Sequence, residues 1–400
     1  MLKKAPVAVV VPARGNNSLG TIRSLGEKGV RCVALNTGVI AANCFSRYCV
    51  SFRVPDPAKH EEGFISTLIS LKPKLGPTPV LFPMDDLCVM LFSKYRNVLQ
   101  EYFRYSYLSW DVFEKCVNKR RMYSLAEKER IPIPRTLSPI SMEEVHSIAS
   151  KISFPSIIKP AGKFELHGDK AFHVFQFCRT YGSKAVRVES PEELIGKYHE
   201  ALSRGIRCLI QEEIPGDATD LFTLAFYADR NSKILAGFVG RKMRQYPSDF
   251  GTVTVGQSVE GARVRELGAQ FVRAARYEGI GNIEFKRDRR DGEFKLIEIN
   301  ARTGSFIYLP TASGINLPFV TYCDLLDIKK KWSAVQEENV FWIDIIRDLM
   351  LLREFRNSGR RISFHQWSRV WKAKHVHAIF SWRDPLPFLL LPFQCPRSEV

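Results

Sequence analysis

Apolar residues come in short unbroken runs near the start of the chain and in alternation further on. Residues 7–11 (VAVVV) are continuously apolar, the mark of a strand buried on both faces. Leu19, Ile22 and Leu25 then recur at helical spacing, and Gly26 and Gly29 close that helix. Residues 31–35 read as the next strand. Residues 80–82 (VLF) read as another, ending in Pro83, Met84, Asp85 and Asp86. This is βαβ patterning, and it predicts a parallel-sheet α/β domain with a boundary near residue 110. The first turn, residues 13–17 (ARGNN), lacks the Gly-x-Gly-x-x-Gly spacing of a dinucleotide site. Open parallel sheets bind ligands at the carboxyl ends of their strands. Arg14, Asn16, Asp85 and Asp86 are therefore substrate-pocket candidates. Turn and cap chemistry is the plainer reading, above all for Asp86.

Past residue 110 the period changes. Residues 110–130 read as one helix with Asp111 as its N-cap and Pro132 and Pro134 beyond its end. Residues 154–160 (FPSIIKP) form a short strand that ends in Lys159. A lysine facing inward is costly unless it meets an anion, and a phosphate would serve; a strand-end lysine reaching solvent is the alternative. An irregular stretch over 161–181 leads to Gly182, Ser183 and Lys184, which suit a loop closing over phosphates. A helix is expected over 191–204. Residues 208–216 (CLIQEEIPG) run from an apolar strand into acceptors and a turn, where backbone groups can read adenine and Asp220 can accept from ribose hydroxyls. Paired strands are expected at 221–228 and 234–240, followed by the cations Arg241, Lys242 and Arg244, a loop over 251–256, and an amphipathic helix over 264–277.

The stretch 281–302 (GNIEFKRDRRDGEFKLIEINAR) organises the rest. Two alternating runs flank a charged turn. Side chains alternate faces along a strand, so Glu298 and Asn300 share one face while Ile297 and Ile299 point into packing. A carboxylate and an amide oxygen so placed can grip a hard cation such as Mg2+. Glu284 on the first strand adds a carboxylate only if it faces Glu298. A plain two-residue turn at Asp291–Gly292 would put it opposite Ile299. A three-residue loop with a glycine bulge, pairing Arg289 with Glu293, or an equivalent one-residue shift, puts it opposite Glu298. Like charges so placed repel, a cost that a bound cation removes. A solvent-facing charged hairpin is the alternative.

The chain has 400 residues, too many for one ordinary core. Its nine cysteines are scattered with no Cys-x-x-Cys pair, which argues against a zinc site or a disulfide framework and for a reducing, cytoplasmic setting. No stretch approaches the length of a membrane-spanning helix, and the lysine-bearing start is too short to read as a signal peptide. The net charge of +17 is spread along the chain. A solvated surface explains it, and a nucleotide cleft would use part of it.

Six pieces in order resemble the ATP-grasp superfamily over residues 5–325: the opening apolar strand, Asn118–Lys119, Ile158–Lys159–Pro160, residues 211–216 (QEEIPG), Ile283–Glu284–Phe285 and residues 298–302 (EINAR). Residues 46–48 (SRY), 83–86 (PMDD) and 240–247 (GRKMRQYP) further resemble the carboxylate–amine ligases akin to D-aspartate ligase. The resemblance implies an α/β and α+β architecture. A pre-ATP-grasp α/β domain would span 1–110. An ATP-grasp domain would span 111–328, its two subdomains split near 190–208, and a helical C-terminal extension would span 329–400. It implies that Lys119 and Lys159 contact ATP phosphates, with Lys184 doing so if it belongs to the lid. Glu212, Glu213 and Ile214 would line the adenine hinge, and Asp220 would hold ribose. Glu284, Glu298 and Asn300 would hold Mg2+ (two ions, with Mn2+ as an alternative). Arg302 would act on the transferred phosphoryl group, with Lys242 and Arg244 beside it. The single glycine of the lid region and the long insertion between Lys159 and Lys184 depart from the family pattern.

The implied activity activates a carboxylate with Mg·ATP as an acyl phosphate and joins it to an amine. Its partners would be small-molecule or lipid-linked substrates, not nucleic acid, and a homodimer is the base-rate expectation. Other ATP-grasp chemistry, of kinase or carboxylase type, is the nearest alternative. A basic membrane- or nucleic-acid-binding protein with a retired nucleotide fold is the alternative from another class. No biotin-carrier or glutaminase-like segment is evident. In the tail, residues 341–356 read as an apolar helix, residues 360–374 as a basic stretch with Trp367 and Trp371, and residues 385–393 as a proline-broken apolar run. A helical extension packed on the catalytic domains is the plain reading. A surface for peripheral membrane contact through residues 340–393 is the sharper one.

Overall fold

Continuous burial on both faces makes Ala8–Val11 (β1) an inner strand of a four-stranded parallel sheet. Its companions are Cys32–Asn36 (β2), Cys49–Arg53 (β3) and Val80–Pro83 (β4), in the order β3-β2-β1-β4. The helix Gly15–Gly26 buries Leu19, Ile22 and Leu25 against it, as the spacing predicts. The computed structural model describes residues 5–38, 40–162, 173–333, 335–359, 368 and 370–391.

A second, antiparallel sheet has the order β5-β8-β6-β7, built from Thr136–Leu137 (β5), Ser156–Pro160 (β6), Val186–Val188 (β7) and Cys208–Glu212 (β8). Helices Met142–Ala149 and Pro191–Ser203 pack on it around Val145, Leu194 and Ile210. Their N-caps, Ser141 and Ser190, accept from the backbone N–H three residues on. The third sheet has seven strands: Leu221–Ala228 (β9), Ile234–Tyr246 (β10), Thr252–Ser258 (β11), Gly279–Arg287 (β12), Phe294–Asn300 (β13), Phe341–Ile343 (β14) and His375–His377 (β15). Its order is β13-β12-β9-β10-β11-β14-β15, antiparallel except for the β14–β15 pair.

Several local expectations change. The helix expected over 110–130 is two, Trp110–Val117 and Lys119–Lys128, and the first is capped by Ser109, not Asp111. Asn118 breaks them: its side chain accepts from the Arg120 and Arg121 N–H groups, which makes it the second helix's cap. Arg241, Lys242 and Arg244 lie within β10, which runs on to Tyr246. Most of the stretch expected as a loop over 251–256 is the first part of β11, because Val253 and Val255 bury on opposite faces. Of the irregular stretch over 161–181, His173–Tyr181 is helical and residues 163–172 lie outside the described residues.

The β12–β13 hairpin delivers Glu284 opposite Glu298, but not through its turn. The Asp288 N–H donates to the Glu293 carbonyl (2.8 Å), which leaves a four-residue loop with Gly292 at φ +79. Arg289 therefore does not face Glu293. The one-residue shift occurs in the strand, where Glu284 pairs with Glu298 and Phe285 with Leu296. Ile297 is the bulged residue. It turns toward a cavity instead of into packing, while Leu296 and Ile299 enter the core.

The tail supplies helix Ile345–Asn357 and also two strands of the large sheet, β14 and β15. Residues 360–367, Trp367 among them, and 392–393 lie outside the described residues. Among the described residues no helix is long and apolar enough to cross a membrane. Asp384 of the tail reaches the first domain. It takes the Arg23 Nε at 2.9 Å, the Ser46 hydroxyl at 2.8 Å and the Arg47 N–H at 2.9 Å, and both charged side chains are 1% exposed. Removing one member of a buried ion pair strands the other in low dielectric. Asp384→Ala is expected to cost about 3–5 kcal/mol, read as a lower urea midpoint, and truncation at residue 330 to give no cooperative unfolding at all.

Candidate active site

Where the three sheets meet lies a cavity of about 1090 Å³. Glu284 and Glu298 face each other across β12 and β13 and both line it, with Asn300 beyond. Asn282, opposite Asn300 and also lining, is buried with its Oδ1 unbonded. Two carboxylates and an amide oxygen on one patch are a hard donor set of the kind that takes Mg2+, which keeps several waters of its own. Among the described residues no three Asp, Glu, His or Cys side chains converge. Lys242 of β10 places its Nζ 3.1 Å from the Glu284 carboxylate, which partly offsets the repulsion between the two glutamates.

Lys159 sits near the end of β6 with 6% exposure. Its Nζ donates to the Tyr123 hydroxyl (2.7 Å) and to Gln211 Oε1 (2.8 Å); Tyr123 donates to the Ile297 carbonyl (2.8 Å). Neither partner is charged. Burial therefore pushes the Lys159 ammonium down to about 7, although the Glu298 carboxylate pulls the other way. Burial likewise raises the Tyr123 hydroxyl to about 12, so it stays neutral. Lys119 is buried one turn before Tyr123 on the same helix and lines the cavity, while Lys184 reaches the cavity from an exposed position.

Arg302 follows β13 and approaches Asp86 at 3.4 Å, joining the cavity to the first domain. Arg244 makes two bonds to Asp348 of the tail (2.8 and 2.7 Å), and the Thr254 hydroxyl donates to the same carboxylate at 2.8 Å. Glu212, Glu213 and Ile214 line the cavity beyond β8. Glu212 accepts from the Arg135 N–H (2.9 Å) and pairs with Arg290 (3.1 Å), and Glu213 pairs with Arg187 (2.7 Å).

The remaining expected residues lie elsewhere. Asp220 is fully buried between Arg287 (3.1 Å) and Arg289 (2.6 Å) and is not among the cavity's described lining. Arg14 pairs with Asp85 at 3.3 Å, and Asn16 donates to Asp344 at 2.7 Å. None of the three is in the described lining. Asp85 caps the helix Asp86–Lys94, and Asp86 is the one of the two that lines the cavity, the reverse of the expected roles. An N-cap points its side chain back at its own helix, which leaves the next residue free to point out. Sequence reasoning also missed Tyr123, Gln211 and Asn282. Tyr123 stands four residues after Lys119, a same-face spacing that could have signalled it.

No family model matches the chain. D-aspartate ligase from Enterococcus faecium (strain Aus0004) is 28% identical over 319 residues, 76% of this chain and 73% of that protein. Among solved structures, a biotin carboxylase–β-γ-ATP complex from Campylobacter jejuni aligns with a TM-score of 0.62 at 15% identity, covering 84% of this chain and 75% of the other. An N5-carboxyaminoimidazole synthetase from Staphylococcus aureus aligns at 0.63 and 11% identity (89% and 87% covered), and an L-amino acid ligase from Bacillus licheniformis at 0.58 and 15% (80% and 73%). The chain has the ATP-grasp fold, with D-aspartate ligase as a distant relative in sequence.

The lowered Lys159 value has a sign that can be checked. Between about pH 7 and 10 the unfolded lysine holds a proton that the folded one does not, so stability rises with pH across that window. The wild type is expected to gain up to about 1.4 kcal/mol per pH unit more than Lys159→Met there. Urea midpoints of the two proteins at pH 7, 8, 9 and 10 measure it, and parallel curves would contradict it.

Proposed function

We propose that the protein is an ATP-dependent carboxylate–amine ligase. The observation that carries this reading is the facing pair Glu284 and Glu298, with Asn300, set among cavity-lining cations in a relative of D-aspartate ligase. Glu284, Glu298 and Asn300 would hold Mg2+. Lys119, Lys159 and Lys184 would take the nucleotide phosphates, and residues 212–214 would border the base. Bound there, Mg·ATP supplies a phosphoryl group that turns a carboxylate oxygen into a leaving phosphate, which an amine displaces to give amide, ADP and phosphate.

The chain's own residues do the positioning. Repulsion between two unit negative charges about 4 Å apart is roughly 4 kcal/mol at an effective dielectric near 20. Arg302 and Lys242 line the same cavity, and their positive charge would lower that barrier for an incoming carboxylate. Asp86 orients Arg302 without burying it away from the cavity. Lys159, held by Tyr123 and Gln211, gains an anionic partner and its proton when phosphates arrive.

Hydroxylamine can replace the amine, so only the carboxylate must be found. The full chain with Mg·ATP, hydroxylamine and pools of D- and L-amino acids and other carboxylates is expected to form a hydroxamate together with phosphate. Glu298→Gln is expected to lower that rate at least about 100-fold while its circular dichroism and urea midpoint match those of a folded protein. Undiminished hydroxamate in that variant, or no nucleotide binding by the wild type, would refute the ligase reading.

A further inference from the structure

Part of the cavity's lining is a group of carbon side chains, set beside the polar residues Gln245, Ser248 and Asp249. Met243 of β10, Phe250 in the β10–β11 turn and Phe355 of helix Ile345–Asn357 line it, each half-buried. Phe341 and Leu351 stand behind them, with at most 2% exposure. This wall begins one residue from Lys242, whose Nζ touches Glu284. Of the ionic groups around it, Arg244 is held by Asp348 and the Glu354 carboxylate accepts from the Ser248 N–H, while Asp249, also in the lining, is exposed.

Phe250 has φ +55, a left-handed conformation that is costly for a bulky side chain. A glycine would adopt it freely. The glycine of this turn is instead the next residue, Gly251, where an added Cβ would fall 1.9 Å from the Pro247 carbonyl oxygen. The turn thus keeps an aromatic ring at the cavity against its backbone preference, a kind of strain that gathers at ligand-binding sites.

We propose that this part of the cavity receives an apolar side group, aryl or branched alkyl, on the organic substrate that the enzyme activates or joins. The proposal rests on the ligase reading and adds the substrate's class. A polar group seated against these carbon side chains would lose its water without gaining a partner. A methylene seated there tightens binding about fourfold.

The test is calorimetric titration of the full chain loaded with Mg·ADP, after ADP binding itself has been measured. Two matched pairs serve as probes: 3-phenylpropanoate against propanoate, and 3-phenylpropylamine against propylamine. The phenyl compound of one pair is expected to bind at least about tenfold tighter than its parent, and which pair responds tells whether the carboxylate or the amine carries the group. Phe250→Gly is expected to cut that preference at least about threefold with an unchanged or higher urea midpoint, because glycine relaxes the backbone. A merely structural phenylalanine would leave the preference intact. Met243→Gln and Phe355→Ser should act in the same direction, with ADP affinity unaltered. If ADP binds and neither phenyl compound exceeds its parent, or the preference survives all three substitutions, the proposal is overturned. Failure of ADP to bind removes the ligase reading, and this proposal with it.

Discussion

One extra residue in β13 sets the whole site. Strand side chains alternate, so a hairpin either brings Glu284 and Glu298 together or puts them on opposite faces, with nothing between. The bulge at Ile297 makes the choice. It lets Leu296 and Ile299 both bury in the core while Ile297, Glu298 and Asn300 all reach the cavity, which unbroken alternation cannot do. The bulged carbonyl is also the acceptor for Tyr123, so the shift is tied to the lysine cluster on the opposite wall. Facing carboxylates are a standing cost, and a fold retains such a cost where function uses it.

The tail belongs to this machinery. β14 extends the large sheet, Asp348 fixes Arg244, and Asp384 locks onto Arg23 in the first domain. The first helix and the last described residues are thereby joined through a pair withdrawn from water. Buried ion pairs are weak sources of stability but strong sources of specificity, because few alternative arrangements satisfy both charges. The cavity is closed at one end by residues from the second sheet and at the other by residues from beyond 340.

Most of the elements were legible because they follow from period and burial. The apolar run at 7–11, the helical spacing of Leu19, Ile22 and Leu25, and the two runs of the hairpin each permit one structure. Errors fell where a local side-chain bond or a distant strand decides. Asn118 divides a helix by capping, which leaves the apolar spacing on either side undisturbed. The glycines of 251–256 suggested a loop, yet Val253 and Val255 find partners in β10 and β14 that no local pattern reveals. Glu284, Glu298, Asn300, Lys159 and Lys242 stand on strands whose alternation is readable, whereas Lys119 opens a helix and entered only through the family resemblance. Arg14, Asn16 and Asp220 fall outside the described lining, held by partners far off in sequence: Asp85, Asp344 and the pair Arg287 and Arg289.

Charge matching explains why the cavity can be both ionic and buried. Lys242 stands with Glu284, Arg302 with Asp86, and Arg244 with Asp348. Each pairing keeps a cation hydrogen-bonded or neutralised in surroundings where an isolated charge would be costly. Lys159 leans on neutral groups, Tyr123 and Gln211, and burial weakens its ammonium. An arriving anion there would supply a charge that these two partners do not. A hard cation would act in the opposite sense at Glu284 and Glu298, where two carboxylates face each other. On the ligase reading, Lys159 on one wall and the facing carboxylates on the other would be complementary halves of a site for a polyanion carrying its own divalent ion.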